Sequence, residues 1–205
     1  MRDAALFLLL YGALQTLALL TFDRPSLSWS VAPIAVAGAV LFVVAYRFAV
    51  RRFARRAPDE LAVAPAVRET ALGALIGAVA FTAAVGLLVV AGAYSVGPDS
   101  SITVTGTAFG VGVLSGVCEE ILFRGILFQR LSDLFGTYGA LLGSSIFFGG
   151  SHLANPDATL WSAFAIAVEA GVMLGLAFVV TGRLWLPIGI HFAWNYTQGG
   201  IFGIA

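Results

Sequence analysis

The chain has 205 residues, of which 60% are hydrophobic and only 11% are charged, and its formal net charge is zero. A soluble domain usually carries about 25% charged residues, so this composition excludes an ordinary soluble protein and indicates a polytopic membrane protein. Zero net charge gives no sign of a nucleic-acid partner. Cys118 is the single cysteine, which excludes an intrachain disulfide bond.

About seven apolar segments follow one another along the chain, and we predict that each is a membrane-spanning helix. Backbone groups in lipid need internal hydrogen-bond partners, which a helix of about 20 residues supplies. The expected fold is therefore all-α, a single integral-membrane helix bundle over residues 1–205. The segments lie near Ala4 to Phe22, Val31 to Val50, Ala71 to Val96, Ile102 to Leu131, Tyr138 to His152, Thr159 to Thr181 and Leu184 to the end.

The first segment also has features of a signal peptide, because a basic residue precedes its apolar run. That run has about 18 residues, whereas the apolar core of a signal peptide usually has about 7–15, and no clean cleavage site follows. We therefore interpret this segment as the first transmembrane helix.

Arginine predicts the orientation of the bundle in a cell membrane. Six arginines lie between the second and third segments: Arg47, Arg51, Arg52, Arg55, Arg56 and Arg68. Cytoplasmic loops carry an excess of basic residues, so this loop is expected in the cytoplasm. Counting segments in both directions then places the N-terminus, Arg130 and Arg183 inside, and the sequences GPDSS and NPD outside.

Three charged residues interrupt the fourth segment, in the stretch GVCEEILFRGILFQR. A charge at the bilayer centre costs about 2.5–3.5 kcal/mol and usually faces a partner or a cavity. Glu120 and Arg124 are four residues apart on one helix face, so we expect an ion pair. Glu119 is rotated by about 100° around the helix axis relative to Glu120, so its carboxylate does not face Arg124 and is available for another role. The alternative is a structural ion pair with a glutamate near the membrane surface.

Both histidines of the chain also lie in or beside apolar segments. His191 and Asn195 are four residues apart in HFAWN, so both can face one point and donate hydrogen bonds to a developing oxyanion. Phe148 and His152 have the same spacing in FGGSH, with the phenyl ring as a pocket wall. A lone histidine on an apolar helix is more often a packing residue, but two histidines and two carboxylates together favour a reactive site.

Helix geometry allows these groups to share one cavity. At about 1.5 Å per residue, Glu119, His152 and His191 lie roughly 16, 21 and 10 Å from the cytoplasmic ends of their helices. We expect the cavity to open toward the cytoplasm. The chain has no HExxH sequence and no nucleophile elbow. Activation of a water by carboxylate and histidine, directly or through a metal, therefore predicts hydrolysis of an acyl bond, above all a peptide bond.

Three motifs occur in order, each near the end of an apolar segment. They are Glu119-Glu120 with Arg124, Phe148 with His152, and His191 with Asn195. In this order they resemble the CAAX prenyl protease and bacteriocin-processing family of intramembrane endopeptidases, also called the Abi family. The similarity covers roughly Gly112 to Gln198, within a motif-bearing protease core of about residues 101–205.

The resemblance implies a role for each motif residue. The implied roles are water activation for Glu119 and His152, an oxyanion hole for His191 and Asn195, and support of the site for Glu120, Arg124 and Phe148. Two histidines and a glutamate could also ligate zinc, with Glu119, His152 and His191 as the ligands. We favour a metal-free site, because the donor role suits the pair His191 and Asn195 better.

The implied partners are the lipid bilayer and a membrane-associated peptide or protein substrate, of the prenylated type or related to a bacteriocin. The short loops indicate a prokaryotic chain, and no pattern predicts an oligomeric state. The main alternative is a non-catalytic membrane protein that binds a peptide, such as an immunity protein. A proton-coupled transporter is a third possibility, although the chain lacks the inverted repeats typical of transporters.

Two features depart from the family pattern. The chain ends at Ala205, ten residues after Asn195, whereas relatives often continue with another apolar segment. We therefore expect either a truncated chain or a short member. Glu169 lies in the middle of the sixth segment, where the family has no carboxylate. We interpret it as an interfacial or hydrogen-bonded residue, with substrate gating or a proton relay as the alternative.

Overall fold

A computed structural model describes residues 9–14, 31–95 and 106–204, and its regular elements there are all helical. The expected all-α fold is therefore confirmed for this part of the chain. Residues 9–14 are helical. The longer helices are α1 (Val31–Ala54), α2 (Ala66–Val90), α3 (Gly106–Glu120), α4 (Gln129–Ser151), α5 (Leu160–Thr181) and α6 (Trp185–Tyr196).

The last six of the predicted segments overlap these helices, but some bounds differ. The fourth segment covers α3, the π-helical turn Ile121–Phe128 and the start of α4, and the fifth covers only the part of α4 after Gly136. The first, Ala4 to Phe22, lies largely outside the described residues, as does the sequence GPDSS. By length and composition α1, α2 and α5 can each cross a membrane. The number of about seven spans stays a prediction, because the other helices are shorter or carry the charged motifs.

A break at Gly136 turns the chain back between the fourth and fifth segments. Gly136 has φ 70° and ψ 178° inside α4, a conformation that glycine adopts without the penalty of a Cβ. The rings of Phe123 and Phe148 consequently lie 5.0 Å apart, whereas an unbroken helix would separate these positions by about 37 Å. This reversal brings the first two sequence motifs face to face.

Helix α6 packs between α2 and α3 at glycines that allow close approach of backbones. A Cβ on Gly77 of α2 would overlap the carbonyl oxygen of Ile190. On α3, a Cβ on Gly112 or Gly116 would lie 3.0–3.1 Å from the backbone of Phe192. Gly112 and Gly116, four residues apart, therefore bring the backbones of α3 and α6 into close contact.

Several helices contain turns of π-helix, which sequence analysis did not foresee. One runs from Ile121 to Phe128, directly after α3, and another from Ala167 to Gly171 within α5. Turns of this kind widen the helix locally and are frequent at functional sites. The first turn contains Arg124 and the second ends at Gly171. A hydrogen bond from the Arg124 side chain to the Gly171 carbonyl joins the two turns.

A polar cluster joins the loops at the arginine-rich end of the bundle. Arg56 donates hydrogen bonds of 2.7 and 2.9 Å to the carboxylate of Glu60 and one of 3.0 Å to Gln129 at the start of α4. The Tyr46 hydroxyl bonds the same carboxylate. Burial acts to raise the pKa of Glu60, but the hydrogen bonds from Arg56 and Tyr46 outweigh it and hold this pKa below its ordinary value.

The glycine contact between α2 and α6 can be tested by adding one methyl group. We expect Gly77→Ala to destabilise the protein in detergent by about 1–3 kcal/mol, because the methyl group has no space against the Ile190 carbonyl. Gly86→Ala, on the same helix with open space around its Cβ position, is the matched control. Equal melting temperatures for the two variants would contradict the close packing of α2 and α6.

The Glu60 cluster makes stability depend on pH in a defined direction. Because the folded state lowers the pKa of Glu60, its contribution to folding is present above about pH 4.3 and is lost as the pH falls further. We expect the melting temperature of the wild type to fall more steeply than that of Glu60→Gln on acidification from neutral pH through this range. Parallel melting curves for the two proteins would refute the role of this cluster.

Candidate functional site

The predicted ion pair between Glu120 and Arg124 is present and lies at the centre of the bundle. Arg124 Nη1 donates to Glu120 Oε1 over 2.8 Å, and both side chains have no exposed surface. The expectation from their spacing is therefore confirmed. Removing one partner of such a pair leaves a buried charge uncompensated, which is far more costly than losing an ion pair on the surface.

Arg124 also connects this pair to two further helices. Its Nη2 donates to the backbone carbonyl of Gly171 over 3.0 Å, at the end of the π-helical turn of α5. Its guanidinium carbon lies 4.6 Å from the centroid of the Phe148 ring, on α4. This is the geometry of a cation–π interaction. Phe148 is therefore a buried packing partner of the charge, and it does not line the cavity described below as a pocket wall.

His191 is held by the same carboxylate. Its Nδ1 lies 2.9 Å from Glu120 Oε1, so the first and third sequence motifs meet at one oxygen atom. Glu120 Oε1 also accepts from Arg124, so the His191 tautomer with its hydrogen on Nδ1 fits this contact. The ring orientation of His191 is thus fixed, and its Nε2 faces away from Glu120.

A cavity of about 190 Å³ lies beside this core, and Glu119 and His152 both line it. One carboxylate oxygen of Glu119, Oε2, is buried and has no hydrogen-bond partner within the described residues. A buried acceptor without a partner is costly, and such an atom calls for a ligand or an ordered water. The other lining residues are Tyr11, Leu14, Val111, Leu114, Ser115, Phe123, Ser151 and Asn155.

The backbone fixes the tautomer of His152. Its Nδ1 lies 2.7 Å from the carbonyl oxygen of Phe148, one turn earlier. A carbonyl only accepts hydrogen bonds, so Nδ1 carries the hydrogen and Nε2 of the neutral ring has the lone pair. His152 can therefore accept a hydrogen bond from a water through Nε2.

Asn195 reaches the cavity wall through a serine. Its Nδ2 donates to Ser115 Oγ over 2.8 Å, and this hydroxyl in turn donates to the Val111 carbonyl. Ser115 precedes Glu119 by four residues and lines the same cavity. Asn195 and His191 themselves lie behind the wall formed by the described residues. The structure thus places Glu119 and His152 in the lining of one cavity, whereas His191 and Asn195 are bonded to Glu120 and Ser115.

Sequence reasoning missed three residues of this region. Ser115, Ser151 and Asn155 line the cavity, and Ser115 could have been found from its four-residue spacing before Glu119. The Gly136 reversal brings the other two opposite α3, which is a tertiary effect that no local pattern reveals. Glu169 is exposed on α5 and does not belong to the described lining of the cavity.

The lining of the cavity includes both buried and exposed residues. Phe123 is only 2% exposed, whereas Asn155 is exposed. After Gly136, helix α4 runs away from the arginine-rich end of the bundle, and His152 lies in the turn that follows Ser151, the last residue of the helix. The expected opening of the cavity toward the cytoplasm stays a prediction.

The expected alternative zinc ligands do not fit a metal. Within the described residues no three side chains of histidine, cysteine, aspartate or glutamate converge closely enough to hold an ion. Glu119 and His152 line the cavity, whereas His191 is turned toward Glu120 behind its wall. No step of the chemistry proposed below is therefore routed through a metal.

Comparison with known proteins identifies the relatives of the motif-bearing half. Residues 101–197 match the family model of the Type II CAAX prenyl endopeptidase Rce1-like proteins. This range contains all three motifs and ends two residues after Asn195. No curated protein and no solved structure matches the chain.

The energetic role of the central ion pair can be tested with one single and one double variant. We expect Arg124→Met to lower the free energy of unfolding by about 3–5 kcal/mol, because Glu120 is left buried without a counter-charge. Adding Glu120→Gln should restore part of this loss. Arg130→Met, which removes an exposed ion pair, is the control and should change stability by less than about 1 kcal/mol. Similar effects of Arg124→Met and Arg130→Met would contradict a central structural role for the pair.

Proposed function

We propose that the chain is a member of the CAAX prenyl protease family, whose model matches residues 101–197, and that it is an intramembrane endopeptidase that uses water activated by Glu119 and His152. Membership of the family indicates a protease and thus a peptide substrate. The apolar helices indicate that this substrate is met in or at a lipid bilayer. The identity of the residues that carry out the reaction is our proposal.

One observation carries this proposal. Glu119 and His152 line one cavity, and the Glu119 carboxylate has a buried oxygen, Oε2, without a hydrogen-bond partner among the described residues. A carboxylate beside such a cavity can take a proton from a water molecule there. Glu120 Oε2 also lacks a described partner, but Glu120 is paired with Arg124 through Oε1 and does not belong to the described lining of the cavity.

The proposed reaction begins with a water held between the Glu119 carboxylate and Nε2 of His152. Glu119 takes a proton from this water, and the resulting hydroxide forms a bond to the carbon of the scissile carbonyl. The tetrahedral intermediate carries the negative charge on the former carbonyl oxygen. It collapses as the C–N bond breaks, and the proton held by Glu119 passes to the leaving amine.

We propose that His191 and Asn195 stabilise the oxyanion of this intermediate. Asn195 Nδ2 has two hydrogens, of which one is given to Ser115 Oγ and the other is available. His191 donates through Nδ1 to Glu120, so a second donation through Nε2 requires that both ring nitrogens carry hydrogen. In that state the charges of Glu119, Glu120, Arg124 and His191 sum to zero, which suits a buried site.

The water is proposed to act without a metal ion. Support comes from the arrangement of the donors, since His191 is committed to Glu120 and does not join Glu119 and His152 around one point. Glu120, Arg124 and Phe148 are then supporting residues that set the position of Glu119 and His191 from behind the cavity wall.

The proposal is tested by replacing the base with its neutral isostere. We expect Glu119→Gln to lower the rate of peptide cleavage about 10²–10⁴-fold while the protein stays folded, since only proton transfer is lost. Because no substrate is identified, cleavage is measured as new N-termini in the membrane proteome of cells that express each variant. Glu169→Gln, the same change on the exposed face of α5, is the matched control and should leave the cleavage pattern intact.

Cleavage by Glu119→Gln at the wild-type rate would contradict the proposed base. The main alternative, a non-catalytic membrane protein that binds a peptide, predicts that neither the wild type nor any variant produces new N-termini. Sensitivity of wild-type cleavage to a metal chelator would retain the protease and overturn the metal-free mechanism.

A further inference from the structure

Three arginines at the end of helix α1 have no partner of opposite charge. The helix finishes in a turn of π-helix, Val50–Ala54, and Arg55 follows it directly. Arg51, Arg52 and Arg55 are exposed, and within the part of the chain that the structure describes none of their side chains forms an ion pair or a hydrogen bond. Other arginines near the loops at this end are already paired: Arg56 with Glu60, Arg130 with Asp133 and Arg183 with Glu69.

Two phenylalanines beside these arginines are exposed as well. Phe48 and Phe53 have 63% and 51% of their surface exposed, and their rings meet edge to face with centroids 6.5 Å apart. The guanidinium carbon of Arg52 lies 5.7 Å from the centroid of the Phe53 ring. Because α1 is long and apolar enough to cross a membrane, these rings meet acyl chains there and mark the end of the hydrocarbon region. The neighbouring arginines then lie at the level of the lipid head groups.

The charge of this surface is not balanced by the chain itself. Residues 47–68 contain six arginines and only two acidic residues, Asp59 and Glu60. Glu60 is buried and already bound by Arg56, so Asp59 is the single exposed acidic group of this stretch. A guanidinium presents its hydrogen-bond donors in a fork that matches phosphate oxygens. Clusters of basic residues next to a membrane-spanning helix attract anionic lipids, so lipid phosphate can supply the missing counter-charge.

We propose that Arg51, Arg52 and Arg55 bind the phosphate groups of anionic phospholipids, while Phe48 and Phe53 contact the acyl chains of the same lipids. A zwitterionic lipid carries a cation beside its phosphate, so the excess of arginine selects lipids with a net negative charge. The exposed rings select a lipid over a soluble phosphate, because only the lipid has an apolar chain to cover them. This site is separate from the cavity described above and does not depend on the proposed reaction.

Native mass spectrometry of the purified protein tests this site. The protein in detergent micelles is mixed with equal amounts of phosphatidylglycerol and phosphatidylcholine, and the lipids that stay bound are counted. We expect the wild type to retain phosphatidylglycerol about five-fold more often, which corresponds to about 1 kcal/mol for a basic group close to an anionic lipid. A triple variant that combines Arg51→Gln, Arg52→Gln and Arg55→Gln should lose this preference.

Two single variants form a matched pair, which keeps the test decisive if the triple variant is unstable. Arg55→Gln removes an unpaired arginine and should lower the preference, whereas Arg130→Gln removes an arginine paired with Asp133 and should leave it unchanged. Equal retention of both lipids by the wild type would overturn the inference, and so would a triple variant with the full preference. Equal losses in the two single variants would also overturn it, because any positive charge would then serve. No catalysis is measured, so the result is independent of the Glu119→Gln experiment.

Discussion

A buried ion pair between Glu120 and Arg124 connects four helices at the point where the chain concentrates its polar chemistry. Glu120 belongs to α3 and accepts from His191 of α6, while Arg124 bonds the Gly171 carbonyl of α5 and lies over Phe148 of α4. Neither charge can be taken from water without its partner, so the pair requires these helices to meet in one arrangement. Glu119, one residue before Glu120, is thereby directed to the other face of α3 and into the cavity.

Much of this arrangement could be predicted from local spacing. Positions four residues apart share a helix face, which gave the pairing of Glu120 with Arg124 and left Glu119 free. Glycines at the same spacing indicated where α3 meets its neighbour. The apolar segments indicated the helices themselves, because a long apolar run has few other ways to satisfy its backbone in lipid.

The remaining features depend on contacts between distant parts of the chain. The π-helical turn after Glu120 is stabilised by contacts such as that of the Gly125 carbonyl with Tyr46, 79 residues away in sequence. The contribution of Ser151, His152 and Asn155 to the cavity wall follows from the reversal at Gly136. Spacing suggested that His191 and Asn195 face one point, yet they bond different partners, Glu120 and Ser115. Side-chain partners across helices are set by tertiary packing, and a single sequence does not contain that information.

In the proposed protease core, the residue that supports the site and the residue that carries the chemistry are neighbours on one helix. Glu120 is bonded through Oε1 to Arg124 and His191 and connects the helices, whereas Glu119 lines the cavity. The most direct test is an experimental structure that resolves the cavity water, with zinc content measured on the same sample. The account predicts one water within hydrogen-bond distance of both the Glu119 carboxylate and His152 Nε2, and no stoichiometric zinc. A zinc ion at that position, or side chains of Glu119 and His152 that point to separate places, would contradict it.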